Sequence, residues 1–280
     1  MSSREEEALM ISILCDGSIE AFSDLFYLAH RGLSPGETPE TVEVLRDIGQ
    51  SLTEGERYRA SDDTVKLLDT FCSIGKRYLD VGKAGCAIMF YTRALAMARN
   101  FNAVEKELAC LHSLGQCEEN RGNYAASSAH FETIKLIAGK AGKDEEVLSA
   151  AAQLIQVRTK EAGEAEKSGD NRASLRLFLL GLSASKQCND SAAEAKLSYE
   201  AGRVCILCRE TEEAIQHLQN YVRENLQIGS PPPSPSSSHS HFPSLPLFFL
   251  APYRVNCSRA AIISNPGLRC PSGRLQHGGQ

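Results

Sequence analysis

A pattern recurring roughly every 40 residues constrains this 280-residue chain more than any other feature. In its clearest copy Phe71, Ile74, Gly75 and Tyr78 precede Gly82, Ala87, Tyr91 and Ala94. In the next, Leu111, Leu114 and Gly115 precede Gly122, Tyr124, Ser127, Phe131 and Ile134. Each copy reads as a helix, a short turn at a glycine and a second helix packed back on the first. Such a unit cannot bury its apolar face alone, so it stacks on its neighbours. The spacing predicts an all-α chain, a right-handed α-α superhelix with a solenoid of about four helix pairs over residues 61–228.

The pairs have definable ends. Asp62 or Asp63 can cap the helix that reaches Val81, and Gly82 to Gly85 is the expected turn into a helix ending near Asn100. Pair two spans Ala103 to Arg121 and then Tyr124 to Gly139. Pair three has a long first helix, Glu145 to Lys167, a turn at Ser168-Gly169-Asp170, and a second helix with Leu175, Phe178, Leu179 and Leu182 on its apolar face. Pair four carries Tyr199, Ala201, Gly202, Cys205 and Ile206, a turn at Glu210-Thr211, and then Ala214, Ile215, Leu218, Tyr221 and Val222. The copies are offset by 40, 47 and 40 residues. A small residue recurs at position 8 (Gly75, Gly115, Ala162, Gly202) and near position 20 (Ala87, Ser127, Ser174, Ala214). These sites let the two helices of a pair approach, while Tyr78, Tyr91, Phe131 and Phe178 fill the surrounding gaps. Pair three is the least regular, with Arg158 and Glu161 where apolar residues are expected.

Residues 1–60 read as a separate helical segment. Glu5 to Cys15 ends at Asp16-Gly17, where Gly17 suits a left-handed position. Ser18 can cap a second helix with apolar face Ile19, Phe22, Leu25, Phe26 and Ala29, stopped by Gly32 and Pro35. A third helix runs from Thr38 to Leu52, with Pro39 at its first position and Val42, Leu45 and Ile48 on one face.

Composition breaks near Ile228. Nine of the 11 prolines follow it, together with four Arg and no Asp or Glu, which leaves 26 basic and 35 acidic residues, a net of −9, in residues 1–228. Ser-Pro runs such as Ser230 to Ser238 cannot build helix, so residues 229–280 are expected to be a disordered tail. The tail reads as an alternative coding end rather than an evolved interaction segment. A solenoid needs a polar cap, so the last helix is expected to expose part of Ile215, Leu218 and Val222 unless the tail covers them.

The same residues narrow the chemistry. A formal charge of −5, without a basic tract or basic-aromatic interleaving, gives no reason to expect nucleic-acid binding. The apolar run Leu245 to Ala251 is too short to span a membrane. The N-terminus has no basic region leading into an apolar one, so no signal peptide is read. Most of the 10 cysteines fall on apolar stripes, which favours free thiols in a reducing cytosol. Cys205-Ile-Leu-Cys208 has the CxxC form but lacks a matching second pair, so core thiols are the expected reading over a metal or redox site. His239 and His241 fall in the tail. No nucleophile motif, phosphate loop or HExxH is present, and Gly82-Lys-Ala-Gly85 is too short for a P-loop. No enzyme activity, cofactor, metal or small-molecule substrate is expected.

These residues resemble the tetratricopeptide repeat family, whose 34-residue period is here lengthened by one or two helical turns, as added helix or a longer loop between repeats. Leu14 to Gly17 leading into Phe22 to Phe26, Phe90 to Arg93 and Leu114 to Glu119 narrow the likeness to axonemal members. Family members continue with further repeats, so a C-terminally truncated or alternatively spliced form is expected. The resemblance implies a non-catalytic protein-protein interaction scaffold in the cytoplasm and cytoskeleton, for axoneme assembly and the beating of cilia and sperm flagella. A cytosolic adaptor of the motor-cargo or cell-polarity type is the other function it implies. It also implies a concave groove, formed by positions 2, 5, 9, 12 and 13 of each first helix, that holds a helix or extended peptide of a partner protein. The implied groove residues are Lys76, His112, Gln116, Asn120, Lys196, Tyr199 and Arg203, with Cys72, Asp80 and Glu119 beside them. Chaperone-binding relatives clamp a peptide carboxylate with Lys and Asn at positions 5 and 9. Cys72 and Lys76 stand there, so that clamp is absent.

Overall fold

The computed structural model describes residues 3–30 and 41–228. The expected stop at Gly32 and Pro35, the N1 role of Pro39 and the tail 229–280 lie outside the described residues. Among those described there are eleven helices and no strand. They are α1 Ser3–Cys15, α2 Ile19–His30, α3 Val42–Ala60, α4 Thr64–Asp80, α5 Ala84–Asn100, α6 Val104–Asn120, α7 Tyr124–Lys140, α8 Asp144–Lys167, α9 Asn171–Gln187, α10 Ser191–Cys208 and α11 Thr211–Ile228. Each helix packs chiefly on the ones before and after it, in consecutive antiparallel pairs. The described residues form an all-α solenoid.

Each of the first two pairs completes the expected 40 residues from two equal halves. Helices α4 to α7 each have 17 residues and are separated by three-residue turns, so one helix and one turn complete 20 residues. The turns share one hydrogen-bond pattern. At the end of α4, Gly82 N–H donates to Leu79 O (3.0 Å) and Lys83 N–H to Tyr78 O (2.8 Å), a Schellman pair. The same two bonds recur at Asp62 and Asp63, Asn102 and Ala103, Gly122 and Asn123, Gly142 and Lys143, Gly169 and Asp170, and Asn189 and Asp190. The first residue of each couple is left-handed, at φ between 51° and 85°, which Gly, Asn and Asp tolerate best. The second starts the next helix. Asp63, Asp170 and Asp190 do so with a side-chain cap on the N–H three residues on.

Several boundaries move relative to expectation. Gly85 lies inside α5, because Lys83 O already accepts from Ala87 N–H (3.2 Å) and the helix has resumed. The last turn is Arg209-Glu210 rather than Glu210-Thr211, and Arg209 takes the left-handed position. Helix α3 begins at Val42, capped by Thr41, and runs on to Ala60, past the expected end at Leu52. Helix α2 buries Ala21, Leu25 and Leu28, leaving Ile19 and Phe26 exposed, because α3 covers the Ala21 side. Leu179 is exposed while Leu175, Phe178 and Leu182 are buried.

The close approaches are where position 8 places them. A Cβ on Gly115 would stand 2.7 Å from the Phe131 ring, one on Gly75 3.0 Å from Tyr91, and one on Gly202 2.9 Å from Leu218. The side chain seated on the small residue is thus the one at position 24. The position 20 serine of pair two adds a tie, Ser127 Oγ donating to Gly115 O at 2.8 Å.

The apolar core falls into two clusters. The first runs without interruption from Met10 on α1 to Val157 on α8. The second runs from Ala162 on α8 through α9 and α10 to Ala214 on α11. Ion pairs stitch distant segments onto this frame. Asp24 of α2 holds Arg93 of α5, whose guanidinium also lies 5.9 and 5.8 Å from the Phe71 and Phe90 ring centres. Ile215, Leu218 and Val222 on α11 are half-buried and Leu226 is exposed.

Candidate partner-binding groove

The first helices of the pairs, α4, α6, α8 and α10, form a series tied by side chains of opposite charge. Asp69 pairs with Lys106, Glu119 with Lys160 at 2.6 Å, and Glu166 with Arg203. Each acid belongs to the earlier helix and each base to the next first helix. Arg203 also meets Glu200 at 2.9 Å, and its hydrogen bonds to Glu166 hold that carboxyl below its usual range.

Between α6 and α8 this series opens into a cleft of about 560 Å³. Leu108, Ile134 and Ala150, all nearly fully buried, make its floor. Glu105, His112, Ser113, Lys143, Glu146 and Ser149 form the polar walls. Lys143 in the α7–α8 turn reaches Glu105 at 2.9 Å and holds its carboxyl below the usual range. His112 stands edge-on to Phe131, with ring centres 5.7 Å apart. An apolar floor inside a polar rim is the anatomy of a protein-docking pocket.

The cleft exists because α8 is longer than its counterparts. Counted from position 8, all four first helices end within one residue of each other, but α8 starts seven residues earlier than α4, α6 and α10 do. Those seven residues, 144–150, add two turns, roughly 10 Å of helix. The 47-residue offset is therefore added helix and not a longer loop, and Glu146, Ser149 and Ala150 all belong to the addition.

Of the seven expected groove residues only His112 lines this cleft. Gln116 is half-buried and Asn120 exposed on the same helix; Lys76 and Lys196 are exposed on α4 and α10. Tyr199 is half-buried against Tyr221, with ring centres 5.3 Å apart. Arg203 is committed to Glu166 and Glu200. The sequence reading passed over Glu105, Ala109, Ser113, Lys143, Glu146 and Ser149. Ala109 stands at position 2 and could have been found by the same rule as His112. The α8 residues could not, since the rule does not extend into added turns.

Cys205 is buried beside Glu210 and Glu213, with their donor atoms within 4.8 Å of one another, and burial raises its thiol to about 11. Three donors, of which Glu210 is half-buried and Glu213 exposed, fall short of a closed four-ligand zinc set. Among the described residues no helix is long and apolar enough to cross a membrane.

No family model matches the chain, and no curated protein matches it. Among solved structures, BtubC (BKLC) from P. vanneervenii is similar at 12% identity, covering 86% of this chain and 98% of that one, with a TM-score of 0.40. A likeness this loose has no bearing on function.

Proposed function

We propose that this protein is a non-enzymatic scaffold whose α6–α8 cleft docks a peptide or helix of a partner protein. The observation that supports this best is the seven-residue extension of α8, which supplies one wall of an open pocket with an apolar floor. With Glu105 neutralised by Lys143, Glu146 leaves the rim acidic. The fitting ligand is an apolar anchor side chain flanked by Lys or Arg.

The partner we propose is a component of the motile axoneme. This rests on the tetratricopeptide resemblance, in its narrower form to tetratricopeptide repeat protein 29, an axonemal protein. On that reading the chain serves assembly of cilia and sperm flagella from the cytoplasm and cytoskeleton.

The test is proximity labelling with the tagged full chain in ciliated cells, beside a cleft-filled variant carrying Ala109→Trp and Ser149→Trp. Both positions are exposed, so helicity should be retained. Axonemal proteins should be labelled by the wild type and lost, by tenfold or more, with the filled variant. Equal labelling by both discards the cleft as the docking face. A diffuse cytosolic signal without axonemal proteins discards the ciliary role in favour of an adaptor.

A further inference from the structure

We propose that Cys72 and Cys110 form a redox-sensitive thiol pair that closes into a disulfide between the first helices of two adjacent repeats. Cys72 lies on α4 and Cys110 on α6, 38 residues apart, yet their sulfurs are 3.7 Å from one another. The two helices come within 8 Å at the Cα level across the intervening α5. A disulfide needs sulfurs about 2.05 Å apart on Cα atoms about 4.4–6.8 Å apart. Closure therefore asks for a sulfur movement of about 1.7 Å, within reach of a side-chain rotation and a small helix adjustment.

The two thiols are unequal in the way an attacking and a resolving cysteine must be. Cys72 is half-buried and reachable from solvent, whereas Cys110 is 1% exposed. The hydrogen bond between the two sulfurs holds the Cys72 thiol below its ordinary value; Lys106 assists, while burial and Asp69 oppose. The same hydrogen bond, with burial, pushes Cys110 up. Elsewhere in the core burial, with nearby carboxylates adding to it, pushes Cys117 and Cys205 up to about 11, so those thiols are poor nucleophiles.

The co-reactant is a hydroperoxide. The Cys72 thiolate attacks one peroxide oxygen, an S–O bond forms, the O–O bond breaks, and the departing oxygen takes up a proton. The Cys110 sulfur then attacks the Cys72 sulfenic acid. An S–S bond forms, the S–O bond breaks, and the hydroxyl leaves with the Cys110 proton as water. Two electrons and two protons have passed from the thiol pair to the peroxide, and a dithiol reductant returns them by exchange. The bond would lock α4 to α6 beside the Asp69–Lys106 ion pair. Neither its formation nor its detection depends on what the α6–α8 cleft binds.

The experiment treats the folded full chain with hydrogen peroxide, alkylates the remaining thiols and maps tryptic peptides. Peptide 67–76 should be linked to peptide 107–121, and dithiothreitol should release it. The link should persist in Cys117→Ser, whose site shares the second peptide, and vanish in Cys110→Ser. In Cys110→Ser a dimedone probe should trap Cys72 as its sulfenic acid. Absence of the linked peptide from oxidised wild type overturns the proposal without recourse to any variant. So does a link that runs through Cys117, or one that survives in Cys110→Ser. Circular dichroism on each variant separates loss of the bond from loss of the fold.

Discussion

Gly115 owes its place to the ring of Phe131. The ring is fully buried, it is flanked by His112, and a Cβ at Gly115 would press into it at 2.7 and 2.9 Å. Gly163, on α8, is the opposite case: a Cβ there meets nothing within 4 Å. The same chemical change should therefore act in opposite directions at the two sites. Gly163→Ala should stabilise by about 0.5–1 kcal/mol, since alanine restricts the unfolded chain and favours helix. Gly115→Ala gains the same helical preference but must displace a packed ring, and should lose about 1–3 kcal/mol net. Urea unfolding of both variants checks this. A stabilised Gly115→Ala would mean that Phe131 can move aside and that the close approach is not what requires glycine.

At the scale of the element, the turns repeat one geometry with different residues. Seven positions at turns between helices α3 and α10 hold the left-handed site with Gly, Asn or Asp, and Arg209 holds the eighth, at φ 64°. A residue with a β-carbon costs about 1–2 kcal/mol in that conformation, least for Asn and Asp. Among the described residues none accepts a hydrogen bond from the Arg209 side chain, so no such bond offsets the cost. Arg209→Gly should raise stability by roughly 1 kcal/mol, read as a higher denaturation midpoint. An unchanged or lowered midpoint would show that the guanidinium contributes something the turn geometry does not reveal. These turns also mark the limit of what was legible beforehand. Gly82, Gly122 and Gly169 announce themselves, since glycine between two apolar periodicities has few other uses. Asn102, Asn189 and Arg209 do the same work without the signature, so those turns were less legible than the ones glycine marks. Apolar spacing likewise placed Val42, Leu45 and Ile48 inward, but it misjudged α2. Periodicity ranks the faces of a helix by hydrophobicity, and small Ala21 allowed α3 to cover a face that Ile19 and Phe26 would have outscored. The ties between Asp24 and Arg93, 69 residues apart, or between Cys72 and Cys110 leave no local trace at all.

For the whole molecule, the decisive place is the middle of α8, where one apolar cluster ends at Val157 and the next begins at Ala162. Arg158 fills the gap. It is 9% exposed, donates to Leu180 O on α9 at 3.1 Å and pairs with Glu132 on α7. Lys135 on α7 reaches Gln187 on α9 at 3.0 Å, so polar side chains of α7, α8 and α9 meet where the two apolar clusters part. Burial there also raises the Glu161 carboxyl, against the pull of Arg158. A solenoid's stability is a sum over units and nearest-neighbour contacts, and a weak contact divides it into separately opening parts. Helices α9 to α11, resting on the smaller cluster, should then open together at a lower free energy than α4 to α7. Glu132→Gln removes the charge that balances Arg158. Because Glu132 is 41% exposed, the cost should be about 1–2 kcal/mol rather than that of a fully buried pair. Native-state hydrogen exchange reads this directly. The variant should speed exchange in α9 to α11 by roughly five- to thirtyfold while leaving α4 to α6 unchanged. Acceleration spread evenly over both groups would mean that the two clusters behave as one cooperative core and that Arg158 is no hinge between them.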